Sequence, residues 1–256
     1  MHHYGTTPEF VLLGGLVPEL LCSGSGKLHA GTTDVDVQVD LEIAAGAVNV
    51  VRLERALANA EFEVDVDRVW RWQTEGGGRR AFVNFELLAD LDAEPAGATV
   101  NFDACEALGA VNLRGTGFAA RDYASLTIRS RVGGVDYEVD VNVTGLAGFL
   151  LAKVAAAYGR RKDKDWYDIA FVLLHNDFGG PEDAAKVTRD RFGPELVGGT
   201  RSALDDLLAN FAAPDAQGPA AFAAQMVVDH PGSDDAQLRA DAIVAVRSFC
   251  SGLVSE

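Results

Sequence analysis

Cysteine is scarce in this chain, and its three cysteines are widely separated. They stand at positions 22, 105 and 250, outside any Cys-x-x-Cys or Cys/His cluster. An odd number of isolated cysteines argues against a disulfide framework and against a structural zinc site. Such use of cysteine is typical of a reducing compartment, so we expect a cytoplasmic protein.

The sequence also lacks a long hydrophobic run. No stretch of about 18 apolar residues occurs, so no membrane span is predicted. The opening residues, Met1-His2-His3-Tyr4-Gly5, show neither the basic start nor the apolar core of a secretory signal. The content of 48% hydrophobic and 23% charged residues is that of a globular protein.

Positive charge is in short supply as well. The 256 residues include 38 Asp and Glu but only 22 Lys and Arg, giving a formal net charge of −16. Broad binding of nucleic acid needs a basic surface, because neutralisation of phosphates dominates such affinity. A nucleic-acid substrate would therefore be held at a local basic patch, or the substrate is smaller.

The segment from Gly31 to Asp40 carries the most informative pattern. Valine alternates with polar residues there, which predicts a half-buried strand with Asp34 and Asp36 on one face. Two carboxylates this close repel each other unless a cation lies between them. Mg²⁺ with oxygen ligands is the usual cation where phosphates are handled, so we expect Asp34 and Asp36 to bind Mg²⁺ or Mn²⁺.

A third carboxylate is expected from another strand, and two candidates remain open. In the predicted strand 79–88, Glu86 would share the polar face with Asn84, opposite the apolar side chains. In the predicted hairpin 126–143, Asp140 is the alternative. A solvated strand face is the alternative interpretation of Glu86, and it is the favoured interpretation of Asp140, where charges discourage aggregation.

A glycine pair precedes the two-carboxylate strand. Gly14-Gly15 follows an apolar run and is followed by a short predicted helix with Pro18 in its first turn. Glycine lets the backbone approach a phosphate closely, and the N–H groups at a helix start attract it. A plain tight turn is the simpler interpretation, but the position before Asp34 favours contact with a nucleotide.

From Gly145 onward the hydrophobic period becomes helical, which predicts a domain boundary. We expect a mixed α/β sheet domain over residues 1–144 and a helical domain over residues 145–256. Between Lys153 and Lys164 five basic residues stand against one acid, so this stretch is the candidate anion-binding patch. Asp165 and Asp168 share a helix face, where they either act in catalysis or pair with Lys153 or Arg161 to join two helices.

Taken in order, these motifs resemble the nucleotidyltransferase (DNA polymerase beta-like) superfamily. Gly14-Gly15, a short helix and Thr33-Asp34-Val35-Asp36 are similar to its signature. The later block, from Lys153 through Arg160 to Ile169, resembles the lysine, arginine and R/K-D-x-x-D segment of AbiEii/AbiGii-type toxins, the nucleotidyltransferase-like toxins of type IV toxin–antitoxin systems. The resemblance spans residues 10–40 and 145–175.

The resemblance implies a nucleotidyltransferase-like mixed sheet core flanked by helices, followed by a helical C-terminal region. It also implies metal-dependent transfer of a nucleoside monophosphate from an NTP to a hydroxyl of RNA such as tRNA, or of a protein, with an antitoxin as a partner. The residues that would carry this fall into three sets: Asp34, Asp36 and Glu86 as metal ligands; Gly14, Gly15, Thr33 and Arg161 on the nucleotide; Lys153 and Asp168 in the catalytic set.

Two features depart from the superfamily pattern. The third carboxylate is a glutamate rather than an aspartate, and Gly15 stands where the wider superfamily has serine. Two alternatives therefore stay open. One is a nucleotidyltransferase for a small aminoglycoside-like molecule, because an acidic surface suits a cationic acceptor. The other is a catalytically silent binding protein of the same fold.

Overall fold

The structure, a computed structural model, describes residues 4, 10–32, 34–38, 47–76, 81–132 and 134–254. It is a mixed α/β fold that divides into two compact units. The sheet unit comprises Met1–Gly15 and Thr32–Gly145, and the helical unit comprises Leu16–Gly31 and Leu146–Glu256. The predicted mixed sheet with flanking helices is confirmed.

The described strands and helices are as follows in chain order. The strands are β1 Val11–Leu13, β2 Asp34–Gln38, β3 Glu63–Asp65, β4 Arg68–Gly76, β5 Ala81–Ala89, β6 Thr99–Asn101, β7 Gly109–Asn112, β8 Tyr123–Val132 and β9 Val135–Thr144. The α-helices are α1 Val17–Leu21, α2 Ala47–Asn59, α3 Gly117–Arg121, α4 Leu146–Arg160, α5 Asp163–His175, α6 Pro181–Phe192, α7 Gly198–Asn210, α8 Gln217–Asp229 and α9 Asp235–Gly252. Two 3-10 helices cover Gly14–Leu16 and Gly193–Glu195.

The sheet unit is built on one sheet with the strand order β3-β4-β5-β2-β1-β9-β8, and β7 joins β5 to β6. The strand β2 runs parallel to β5 and antiparallel to β1, while β4 runs antiparallel to β5. This order makes β2 a central strand, with β5 and β1 as its immediate neighbours.

Alternation along the central strands separates the core from the polar face. Val37 and Leu87 are fully buried and stand opposite each other on β2 and β5, and the nearly buried Phe85 stands opposite Val35. Because successive side chains of a strand point to opposite faces, Asp34 and Asp36 lie on the other face, where they are half-buried.

The strands β8 and β9 form the hairpin that the sequence predicted, and β8 is the last strand on its side of the sheet. Its polar face carries exposed pairs across the strands. Arg129 contacts Glu138 and Arg131 contacts Asp136, each at 2.6 Å. Such solvated pairs add little to stability.

The helical unit has its core in α4 and α5. Phe149, Leu150, Trp166, Ile169 and Phe171 are buried there, which agrees with the helical spacing of apolar residues after Gly145. Among the described helices, none has both the length and the apolar character that a bilayer crossing requires.

The segment Leu16–Gly31 belongs to the helical unit although it lies between two strands of the sheet unit in the sequence. The Asp177 N–H donates to the carbonyl of Leu21, and the Ser23 hydroxyl donates to Asp177 Oδ2 at 2.8 Å. The His230 ring contacts the carbonyl oxygen of Leu28 at 3.1 Å. The boundary predicted at Gly145 placed this segment in the sheet domain, because its local sequence pattern carries no signal of these distant partners.

Candidate functional site

Asp34 is the first residue of the strand β2, and Asp36 is its central residue. Two residues apart on an extended strand, they share one face with their Cα atoms about 6–7 Å apart. The backbone N–H of Asp34 donates to the Thr32 hydroxyl at 3.1 Å, which fixes the entry to the strand. The strand therefore presents two half-buried carboxylates side by side.

The neighbouring strand β5 aligns polar side chains with both carboxylates. In the parallel pairing, Asp34 stands opposite Asn84 and Asp36 stands opposite Glu86. The Asn84 side-chain amide donates to Asp34 Oδ1 at 2.7 Å, which fixes the orientation of that carboxylate. The sequence pattern predicted Asn84 on the polar face but not this contact, since the register of β2 against β5 is not a local property.

Gly14 lies directly against the carboxylate of Asp36. Leu13, the preceding residue, pairs with Asp36 across β1 and β2. A Cβ atom at position 14 would lie only 1.9 Å from Asp36 Oδ2, and Gly14 has φ +79°, a conformation that favours glycine. Glycine is thus required at position 14 for two reasons, its backbone conformation and the close approach of an acidic side chain. Gly15 is buried in the 3-10 turn that follows.

The two candidates for a third carboxylate lie in different surroundings. Glu86 is adjacent to Asp36, but its Oε1 accepts a hydrogen bond from Arg71 Nε at 2.6 Å. Asp140 lies on β9, with β1 between it and β2, and accepts a hydrogen bond from Thr127 on the exposed hairpin. In the part of the chain that the structure describes, no three Asp, Glu, His or Cys side chains form a ready metal-binding group.

The donor set on β2 fits a hard divalent cation. Mg²⁺ and Mn²⁺ prefer carboxylate oxygens, and Asp34 and Asp36 offer these on one face. Gly14 lies directly against Asp36, so the main chain at the end of β1 adjoins the same donor set. Asp34 and Asp36 are the residues that would hold the ion.

The predicted residues of the later block belong to the helical unit and form a buried ion-pair network there. Lys153 Nζ lies 2.7 Å from Asp168 Oδ2 and 3.3 Å from Asp165 Oδ1. Arg160 donates two hydrogen bonds to Asp165, both at 2.7 Å. The carboxylates of Asp165 and Asp168 are 1% and 0% exposed, so both are removed from solvent. The network joins α4 to α5.

His29 adds the segment before β2 to this network. Its Nε2 lies 2.8 Å from Asp168 Oδ1, and its ring stacks on Tyr167 with 5.0 Å between centroids. The Tyr167 hydroxyl accepts a hydrogen bond from the Ala30 N–H at 3.0 Å. These contacts anchor the end of Leu16–Gly31 to α5, and no sequence pattern indicated them.

Charges inside the network overcome the cost of burial. Burial by itself would raise the pKa of Asp168, but Lys153, the hydrogen bond with His29 and Lys164 lower it to about 2. Burial would likewise lower the pKa of Lys153, and the two carboxylates raise it instead. Both groups are therefore ionised at neutral pH, and each is paired with the other.

The remaining nucleotide-binding candidates are Arg161 and Thr33. The Arg161 guanidinium contacts Asp206 at 2.6 Å, and Arg161 itself has φ +54° in the turn between α4 and α5. Lys164 also has an acidic neighbour, Asp168, at 3.5 Å. The basic patch is thus largely compensated by acids of the same unit. Thr33 lies outside the described residues.

Comparison of the chain with protein-family models, with curated proteins and with solved structures finds no match. The resemblance to nucleotidyltransferases accordingly rests on the sequence motifs and stays a prediction.

Proposed function

We propose that this chain is a metal-dependent nucleotidyltransferase that transfers a nucleoside monophosphate from an NTP to an acceptor hydroxyl. The single observation that carries the proposal is the combination on β1 and β2. Two carboxylates share one face of β2, and Gly14 lies directly against the second of them. Carboxylates suit a divalent cation, and a glycine turn beside them suits a phosphate chain at the same place.

The roles of the residues follow from what they offer. Asp34 and Asp36 would hold the cation, with Asp34 oriented by Asn84. Gly14 and Gly15 would let the triphosphate approach the main chain. A divalent cation, when bound there, neutralises phosphate charge and orients the reacting oxygens. Transfer of this kind depends on positioning and charge neutralisation more than on covalent chemistry by the protein.

The helical unit supports the proposal by its sequence motif. The stretch from Lys153 to Asp168 resembles the toxin block, and this resemblance supports an AbiEii-like toxin with RNA or protein as the acceptor and an antitoxin as partner. Within the unit, Lys153 and Asp168 bind each other in a buried network. We assign them a structural role in addition to the catalytic one that the motif implies.

One observation favours a second candidate, a catalytically silent binding protein of the same fold. Glu86, the carboxylate adjacent to Asp36, has an arginine as its partner. An arginine inside a group of carboxylates supplies positive charge without any metal, as expected of a catalytically inactive site. The net charge of −16 keeps a small cationic acceptor as the third candidate.

Transfer of label from NTPs separates these candidates. The purified chain is incubated with Mg²⁺, each α-labelled NTP and, in turn, total tRNA, a protein extract or an aminoglycoside. We expect label on one acceptor, and a fall of at least about 10²–10³-fold in Asp34→Asn, because a principal electrostatic group is lost. The fold should persist, since the asparagine oxygen can still accept the bond from Asn84.

The matched control is Asp140→Asn, which removes the same charge from the exposed hairpin of the same unit. It should keep the wild-type rate. Transfer by Asp34→Asn at the rate of Asp140→Asn would refute the proposal, and wild-type protein inert on every acceptor would favour the silent candidate.

A further inference from the structure

Arg71 contacts Glu86 on the polar face of β5. The two residues stand directly opposite each other in the antiparallel pairing of β4 with β5. Arg71 Nε donates to Glu86 Oε1 at 2.6 Å, and a second guanidinium nitrogen, Nη2, contacts the same oxygen. The side chains of Arg71 and Glu86 are only 24% and 16% exposed, so solvent screens the pair weakly.

Glu86 therefore has a cation on one side and a carboxylate on the other. Its neighbour on β2 is Asp36, and its neighbour on β4 is Arg71. Residues directly opposite each other in adjacent strands share a face of the sheet. The guanidinium thus belongs to the same face as the two carboxylates of β2.

The number of divalent cations at this face depends on which oxygens are available as ligands. A second divalent ion at the same carboxylates would need oxygen ligands beyond those of Asp34 and Asp36, since Mg²⁺ takes about six ligands and sites with two metals share bridging carboxylates. Glu86 is the adjacent source of such oxygens, and Arg71 already binds it.

Building on the proposed function, we propose that Arg71 is a positioning residue that takes the place of a second metal ion. It holds Glu86 away from metal, so that Asp34 and Asp36 bind a single divalent cation. The guanidinium supplies permanently the positive charge that a second ion would otherwise bring. Removal of Arg71 releases Glu86 as a ligand.

Mn²⁺ binding tests this directly, with no need to know the NTP or the acceptor. Free Mn²⁺ is measured by electron paramagnetic resonance during titration of the full-length chain, in wild type, Arg71→Gln, Glu86→Gln, Asp34→Asn and Arg68→Gln. Arg68→Gln is the matched control, because Arg68 is an exposed arginine of the same strand and its loss changes the net charge equally. Thermal unfolding of each variant reports whether the fold is retained.

We expect one Mn²⁺ per wild-type chain, lost in Asp34→Asn and unchanged in affinity within about twofold in Arg68→Gln. Glu86→Gln should still bind one Mn²⁺. Arg71→Gln should bind a second Mn²⁺ or bind the first at least about tenfold more tightly, which is about 1.4 kcal/mol. The near-isosteric Glu86→Gln keeps the test valid if Arg71→Gln does not fold.

Two Mn²⁺ ions in wild type with only one in Glu86→Gln would overturn this inference, while nucleotidyl transfer itself would stand. Equal Mn²⁺ binding by Arg71→Gln and Arg68→Gln would overturn it as well. No Mn²⁺ binding by any variant, or binding unaffected by Asp34→Asn, would overturn the proposed function and this inference together.

Discussion

The sheet unit and the helical unit each contain a pair of neighbouring aspartates, in very different surroundings. Asp34 and Asp36 are half-buried on β2, and Asp34 accepts a hydrogen bond from a neutral amide. Asp165 and Asp168 are buried on α5, and lysine or arginine nitrogens lie within 2.7 Å of each. A buried carboxylate needs a permanent cationic partner, because an unpaired buried charge is very costly. A half-buried one can remain ionised and take its cation from solution.

The two aspartate pairs differ in how their negative charge is compensated. The pair on α5 is neutralised inside the protein and joins two helices and the segment before β2. The pair on β2 is half-buried, and we propose that it binds a cation from solution. The following predictions test this division, beginning with the largest expected effect.

Removal of the central lysine of the helical network should cost stability. Lys153→Met leaves two carboxylates buried with weakened compensation, so the free energy of unfolding should fall by about 3–5 kcal/mol. Urea denaturation followed by far-UV circular dichroism measures this. Lys162→Met, an exposed lysine in the adjacent turn, should change it by less than about 0.5 kcal/mol. Equal effects of the two variants would show that the network does not hold the helical unit together.

Filling the space at Gly14 should cost activity far more than stability. The methyl group of Gly14→Ala overlaps Asp36 Oδ2 and must displace it, and a displacement of about 1 Å can cost about 10²-fold in rate. The assay is label transfer from NTP, with Mn²⁺ affinity as a second readout.

Gly97→Ala is the control for backbone conformation, since Gly97 has φ +83° but nothing within 4 Å of a Cβ atom. Both variants should lose about 1–2 kcal/mol of stability, and only Gly14→Ala should lose activity. Comparable activity of Gly14→Ala and Gly97→Ala would show that the position of Asp36 does not matter for the reaction.

Low pH should destabilise the helical unit through protonation of His175. Burial, then the charge of Lys27 and that of His230, lower the pKa of His175 from 6.5 to about 4. The unfolded chain binds a proton in this range and the folded chain does not, so stability is constant above pH 6.5 and falls as the pH drops towards 4. In His175→Gln the slope of unfolding free energy against pH should decrease between pH 6.5 and 4 and stay unchanged from pH 7 to 8. An unaltered slope at acid pH would contradict this account.

Local sequence patterns predicted the strands of the candidate site but not which side chains contact one another there. Alternation alone predicted strands carrying Asp34, Asp36 and Glu86, because period two survives wherever one face of a strand is buried. The register that sets Asn84 against Asp34 and Arg71 against Glu86 depends on pairing between separate strands, and nothing in the sequence singled out Arg71. The contact of His29 with Asp168 joins residues 139 positions apart, so no local signal exists for it. The metal-binding roles of Asp34 and Asp36 remain predictions, and for Glu86, predicted as a third ligand, we propose the pairing with Arg71 instead.

Crystals grown with Mn²⁺ and a nonhydrolysable NTP would test the central claim most directly, through the anomalous scattering of manganese. We predict a manganese peak about 2.0–2.3 Å from carboxylate oxygens of Asp34 and Asp36, with the triphosphate against Gly14-Gly15. Nucleotide bound elsewhere, with no manganese at these two carboxylates, would contradict the account.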